Sequence, residues 1–171
     1  GSLDTLVQTL HIRRTIDRQT LDSLLKFRVT TETNAAFEAA LRITEKDIEY
    51  LLDNLKRKEE HLDDIPVLTA CDYDFHYKIT SVSGNIINKL VFQSFKPIYS
   101  FFTEFFYSLP DAPKTSLALN LKLVDALKHK DSKASCQAME NILKFGEQKI
   151  YEAIDDTEQL IVIGRVETGS D

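Results

Sequence analysis

Apolar residues recur every three or four positions along most of this chain. The clearest run is Leu21, Leu24, Leu25, Val29, Ala36, Phe37, Ala40 and Leu41. That spacing keeps one face of an α-helix apolar and has no counterpart in a β-strand, where alternate residues share a face. No strand-period run of useful length occurs before residue 160. Glycine (5) and proline (4) are scarce in 171 residues, so little of the chain is given over to tight turns. The expected fold is all-α, an antiparallel bundle of six to seven helices with side chains from facing helices lining any internal pocket.

Punctuation residues divide the chain. A short helix covers 3–10, and a second runs from Asp17 or Thr20 to about Ile43. Thr44, with Asp47 three residues on, forms a capping box for a third helix ending near Leu62. Asp63, Asp64 and Pro66 mark a break, and Pro66 suits a first helical turn. The fourth helix ends near Ser83-Gly84, and Asn85 caps a fifth that Pro97 kinks or breaks. Pro110 and Pro113 bracket a loop before a helix over 115–129, and Asp131 caps the last helix, to about Asp155. Residues 1–156 read as one domain and 157–171 as a loosely held tail.

Bulk properties exclude several classes. A net charge of −6 opposes nucleic-acid binding by this region alone. No stretch is long and apolar enough to span a membrane, and the start of the chain lacks the features of a signal peptide. Cys71 and Cys136 lie far apart without metal-ligand spacing, which suits free thiols in a reducing cytoplasm.

The stretch CDYDFHYKITSVSGN (71–85) sets Asp72 and His76 four residues apart on one helix face. Such a pair can hold an ion, orient a polar ligand or satisfy itself as a helix-surface or buried pair. Two ligands do not close a metal site.

Residues 24–52 resemble the effector-binding domain of FadR-type regulators in the GntR superfamily. Arg28 and Glu32 precede the small-residue run Ala35-Ala36 and Ala39-Ala40, and the capping element at Thr44 fits as well. Asp72, His76 and Ser83-Gly84-Asn85 match a second family pattern, and Ser116 to Leu119 a third. The resemblance covers roughly residues 3–154. It implies an effector-binding and dimerising domain, cytoplasmic, that follows a winged-helix DNA-binding domain not contained in these 171 residues. Operator DNA would be met only through that domain, and a homodimer is expected.

Many relatives hold a divalent metal with one Asp and three His, and the metal holds a carboxylate effector. Placed on this sequence, the first two ligands are Asp72 and His76, while Asn120 and Ile142 stand in the other two places. Asn is a weak ligand and Ile is none. No cofactor is therefore expected. The remaining metal reading is a weakly held zinc or nickel ion at Asp72 and His76, with Asn120 as a weak third ligand.

Further candidates follow from the same resemblance. Arg28 points into the family's pocket and can fork onto a carboxylate, or else pair with Glu32. Six of the ten Phe residues fall between 92 and 106, beside Tyr99, and form either core or a wide apolar wall for an acyl chain. Gly146 follows Phe145 on the last helix and would let a bulky ligand approach. Arg28, Asp72, His76, Tyr99, Asn120 and Gly146 are thus the candidate effector contacts, for a small carboxylate or an acyl-coenzyme A-like molecule. Lys149 and the basic group Arg13, Arg14 and Arg18 read as solvated. The competing readings are a metal-assisted hydrolase in a helical bundle and a helical interaction module. Against the first, no Ser-His-Asp set or HExxH motif is present.

Overall fold

The computed structural model describes residues 2–13, 15–154 and 160–162, without the side chains of 11–13 and 160–162. Eight helices carry the described residues, in the order α1 (Leu3–Arg13), α2 (Arg18–Arg42), α3 (Glu45–Glu60), α4 (Ile65–Val82), α5 (Ile86–Ser94), α6 (Lys96–Tyr107), α7 (Ala112–Lys128) and α8 (Ser132–Ala153). A two-stranded antiparallel ladder joins β1 (Thr15–Asp17) to β2 (Leu160–Val162), with Ile16 opposite Ile161. The fold is all-α in class, with α2 packed on α8 and α4, α3 on α4 and α7, α4 on α6, and α7 on α8.

The caps hold where local chemistry specifies them. Thr44 accepts from the Asp47 backbone N–H while the Asp47 carboxylate accepts from the Thr44 N–H, closing the capping box of α3. Asn85 and Asp131 cap α5 and α8 by accepting from Asn88 N–H and Ala134 N–H.

The helix carrying Pro97 breaks there, one of the two outcomes expected of it, and the count is eight rather than six or seven. Pro97 has no N–H to return to the preceding turn, so α5 closes at Phe95, whose N–H bonds Val91 and Phe92 carbonyls, and α6 begins afresh with Pro97 in its first turn. Helix α7 begins at Ala112 rather than 115, with Pro113 absorbed into the turn where a missing N–H costs nothing. Strand β1 is too short to show a period in the sequence, and its partner β2 lies inside the stretch read as tail. The remainder of that tail lies outside the described residues, as do the side chains of Arg13 and Arg14. Arg18 bonds Asp22 and lies over the Tyr151 ring.

Two apolar clusters hold the bundle. The larger joins α2, α3, α4, α7 and α8 through Ala36, Ala39, Ala40, Leu51, Leu55, Phe75, Ile79, Leu123, Leu127 and Met139. The alanines let α2 run close to its neighbours. The second cluster joins α1, β1, α2, α6 and α8 through Leu10, Ile16, Leu21, Leu25, Ile98, Phe101, Phe102 and Ile150. A cavity lies between them.

Candidate functional site

Helices α2, α4, α5, α6, α7 and α8 enclose a cavity of about 110 Å3. Most of its wall is apolar: Leu21, Phe92, Phe95, Phe102, Phe106 and Phe145 are among the lining residues. Part of the 92–106 aromatic run therefore faces the cavity, while Phe101 belongs to the packed second cluster.

The polar end is built from helix spacing. Arg28 and Glu32 are one turn apart on α2, and Asp72 and His76 one turn apart on α4. Glu32 is 3% exposed and His76 1%. The Arg28 Nε–H donates to Glu32 Oε2 at 2.7 Å, and Glu32 Oε1 meets His76 Nδ1 at 2.5 Å. His76 Nε2 lies 3.9 Å from Asp72 Oδ2. Both Asp72 oxygens accept phenol protons, Oδ2 from Tyr99 at 2.7 Å and Oδ1 from Tyr107 at 2.6 Å. Arg28 also donates through Nη2 to Tyr99 at 3.1 Å and lies over its ring. Its Nη1 makes no hydrogen bond among the described residues.

Behind this floor sits a residue that sequence reasoning missed. Lys58, on α3, is 1% exposed. Its ammonium donates to Tyr107 Oη (2.7 Å), Ser116 Oγ (2.7 Å) and Asn120 Oδ1 (2.8 Å). All three ammonium protons are thus used, and Tyr107 links the amine to Asp72. A signal existed. Ile48, Leu51, Leu55 and Lys58 continue one stripe at spacings of three, four and three, so the lysine stands on the buried face of α3. In the run NLKRKEE it reads as one more surface charge.

Charge balance follows from burial. Desolvation works against the Asp72 carboxylate, but His76, Lys58 and the two phenols outweigh it and hold its pKa below the usual value. Glu32 is likewise lowered against burial, by Arg28 and His76. Burial pushes Lys58 down to about 8, partly offset by Asp72. Burial, then Asp72, raises both tyrosines well above the ordinary phenol range, so they remain donors.

Of the six candidate contacts, Arg28, Asp72, His76, Tyr99 and Gly146 line the cavity, together with Ile142. Asn120 does not. It is 1% exposed, its carbonyl oxygen is taken by Lys58, and its Nδ2 has no partner among the described residues. The expectation that Asn120 points at the Asp72–His76 pair fails because the ammonium draws its oxygen away. Lys149 is not among the lining residues and lies over the Phe145 ring.

The donors do not fit a metal ion. Asp72 has both oxygens engaged by phenols and Asn120 faces an ammonium, which leaves His76 Nε2 as a lone imidazole donor. Ile142 offers no donor. Among the described residues no group of three or more His, Cys, Asp or Glu is placed to hold an ion.

A mostly apolar cavity with one charged, hydrogen-bonded end inside a helical bundle is the setting of a small-molecule site. A model of the FCD domain matches residues 23–145, and the chain belongs to the FCD domain family. Among solved structures it is similar to E. coli McbR/YncC, with a TM-score of 0.71 at 18% identity over 80% of this chain and 70% of that one. It is similar also to GntR of Streptococcus agalactiae, with a TM-score of 0.63 at 20% identity over 74% of this chain and 57% of the other. No curated protein sequence matches the chain. No helix among the described residues is long and apolar enough to cross a membrane.

Proposed function

We propose that the domain senses a small monocarboxylate with an apolar or aromatic body and passes its occupancy to an attached winged-helix domain that binds operator DNA. The observation that carries this reading is Arg28. Arg28 lines the cavity, its Nε and Nη2 are tied to Glu32 and Tyr99, and its Nη1 carries no hydrogen bond among the described residues. A guanidinium already fixed in place loses little freedom on pairing with a carboxylate. Thr80 and Thr103 are also among the residues lining the cavity. The aromatic wall takes the rest of the ligand.

The volume of about 110 Å3 favours a small molecule over a whole acyl-coenzyme A. The regulator acts as a homodimer in the cytoplasm, with an allosteric coupling of about 1–3 kcal/mol between effector and operator.

The test is a thermal-melt panel of small carboxylates, their amides and acyl-coenzyme A thioesters, followed by calorimetry on the best. A ligand at one hundred times its Kd adds about 2.7 kcal/mol of stability. A carboxylate should raise Tm, its amide should not, and Arg28→Met should remove the response. Stabilisation by thioesters alone would move the assignment to an acyl chain. A panel without a single response, with native mass spectrometry showing no retained small molecule, would overturn the reading.

A further inference from the structure

We propose that the Lys58 ammonium is the fixed cation of this site: it takes the place of a divalent ion beside Asp72 and Asn120, and recognition at the cavity needs no metal. The geometry is that of a small coordination shell. Three oxygens from three side chains, Tyr107, Ser116 and Asn120, lie 2.7–2.8 Å from one buried nitrogen. None of them is charged. The nearest carboxylate to which the amine is linked, Asp72, is reached through the Tyr107 hydroxyl, which accepts from the ammonium and donates to Oδ1. The amine thereby does two tasks expected of a resident cation. It supplies positive charge that keeps Asp72 ionised, and it fixes the phenol that orients that carboxylate.

An ordinary core residue would be simpler. A leucine or methionine would fill this space on the α3 stripe without desolvating a charge, and an isolated buried ammonium costs several kcal/mol. The surroundings match the ammonium instead. Asn120 turns its oxygen toward it although this leaves Nδ2 without a partner among the described residues. Ser116 lines the cavity and bonds the amine, so the cation lies one side chain behind the cavity wall. A second cation in that space would meet like charge and find its remaining oxygens already bonded.

The consequence for recognition rests on the reading of the cavity as an effector site, but the test does not. Zinc and nickel are titrated calorimetrically into four proteins: wild type, Lys58→Met, Asn120→His/Ile142→His, and the triple variant with all three changes. Wild type, the single variant and the double variant should bind neither ion tightly, while the triple variant should bind one ion at least a hundredfold more tightly than the double. A merely structural lysine would leave metal affinity unmoved by its removal. Equal affinity in double and triple variants, or stoichiometric metal on wild type, would overturn the proposal. Circular dichroism checks folding, and Lys58→Gln, which keeps polar contacts to Tyr107 and Ser116 without charge, carries the same comparison if the methionine variant does not fold. No effector enters the titration, so its failure leaves the carboxylate assignment standing, and a silent carboxylate panel leaves this proposal standing.

Discussion

Lys58 Nζ and Tyr107 Oη lie 2.7 Å apart at the inner end of the polar cluster, and the same phenol donates to Asp72 at 2.6 Å. One hydroxyl thus serves two buried charges. Tyr107→Phe keeps the ring that packs against Phe106 but deletes an acceptor for the ammonium and a donor to the carboxylate. Hydrogen bonds to charged groups contribute about 1.5–3 kcal/mol each. The variant should lose about 2–4 kcal/mol, read as a lower urea midpoint with unchanged slope. A loss under about 0.5 kcal/mol would mean that water or Ser116 replaces the hydroxyl.

Acid should unfold the domain through Glu32 and Asp72. Both have folded pKa values below their ordinary ones despite burial. Between the folded and unfolded values the unfolded chain binds more protons, so stability rises with pH in that window. The stabilisation is complete above the ordinary carboxylate range, roughly pH 4–4.5, and is lost as pH falls through the folded values. The exposed N-cap Asp17 and the box residue Asp47 shift in the same sense. Urea midpoints between pH 6 and 3 should fall steeply below about pH 4.5. Glu32→Gln should be less stable at pH 6 yet show a shallower acid slope. An equal slope in the variant would remove Glu32 from the account.

Gly84 has φ +82° at the end of α4, and a Cβ there would sit 3.2 Å from Arg42 Nε and 3.3 Å from Cζ. Arg42 is not free to withdraw: its Nη1 donates to the Ser83 carbonyl at 2.7 Å and to Glu38 at 3.2 Å. Gly84→Ala should therefore cost more than the roughly 1–2 kcal/mol of the left-handed backbone alone. In an Arg42→Ala background the same change should cost only that backbone share. Additive losses in the double variant would show that the side chain gives way easily.

These residues also show what the sequence made legible. The capping box at Thr44, the Asn85 and Asp131 caps and the glycine stop at Gly84 are local chemistry, and each is found where the residues place it. The break at Pro97 was readable as an event, but whether a proline kinks or divides a helix depends on tertiary packing. The pairs Arg28–Glu32 and Asp72–His76 followed from one-turn spacing, whereas the cross-helix links His76–Glu32 and Tyr99–Asp72 span 44 and 27 residues and needed the fold. Asn120 was placed on the right element but given the wrong neighbour, because a lysine on an apolar stripe carries the same letter as a lysine in water.

Gly146 separates folding from binding. It lies within α8 on the cavity wall, and a Cβ there would meet nothing within 4 Å. Glycine inside a helix costs roughly 0.5–1 kcal/mol relative to alanine, chiefly through the backbone freedom lost on folding. Gly146→Ala should accordingly raise stability by about that amount, since no neighbour has to move. Gly146 lines a cavity of only about 110 Å3, so an added methyl should take space from a ligand at this end. A ligand that fills this end should bind the variant more weakly, at least fivefold, even though the protein is more stable. Larger side chains, as in Gly146→Val, should extend the loss of affinity and forfeit part of the stability gain through β-branching. Denaturation and calorimetry on the same samples decide it. Unchanged affinity in the alanine variant would place the ligand wholly toward Arg28 and Thr80, away from α8.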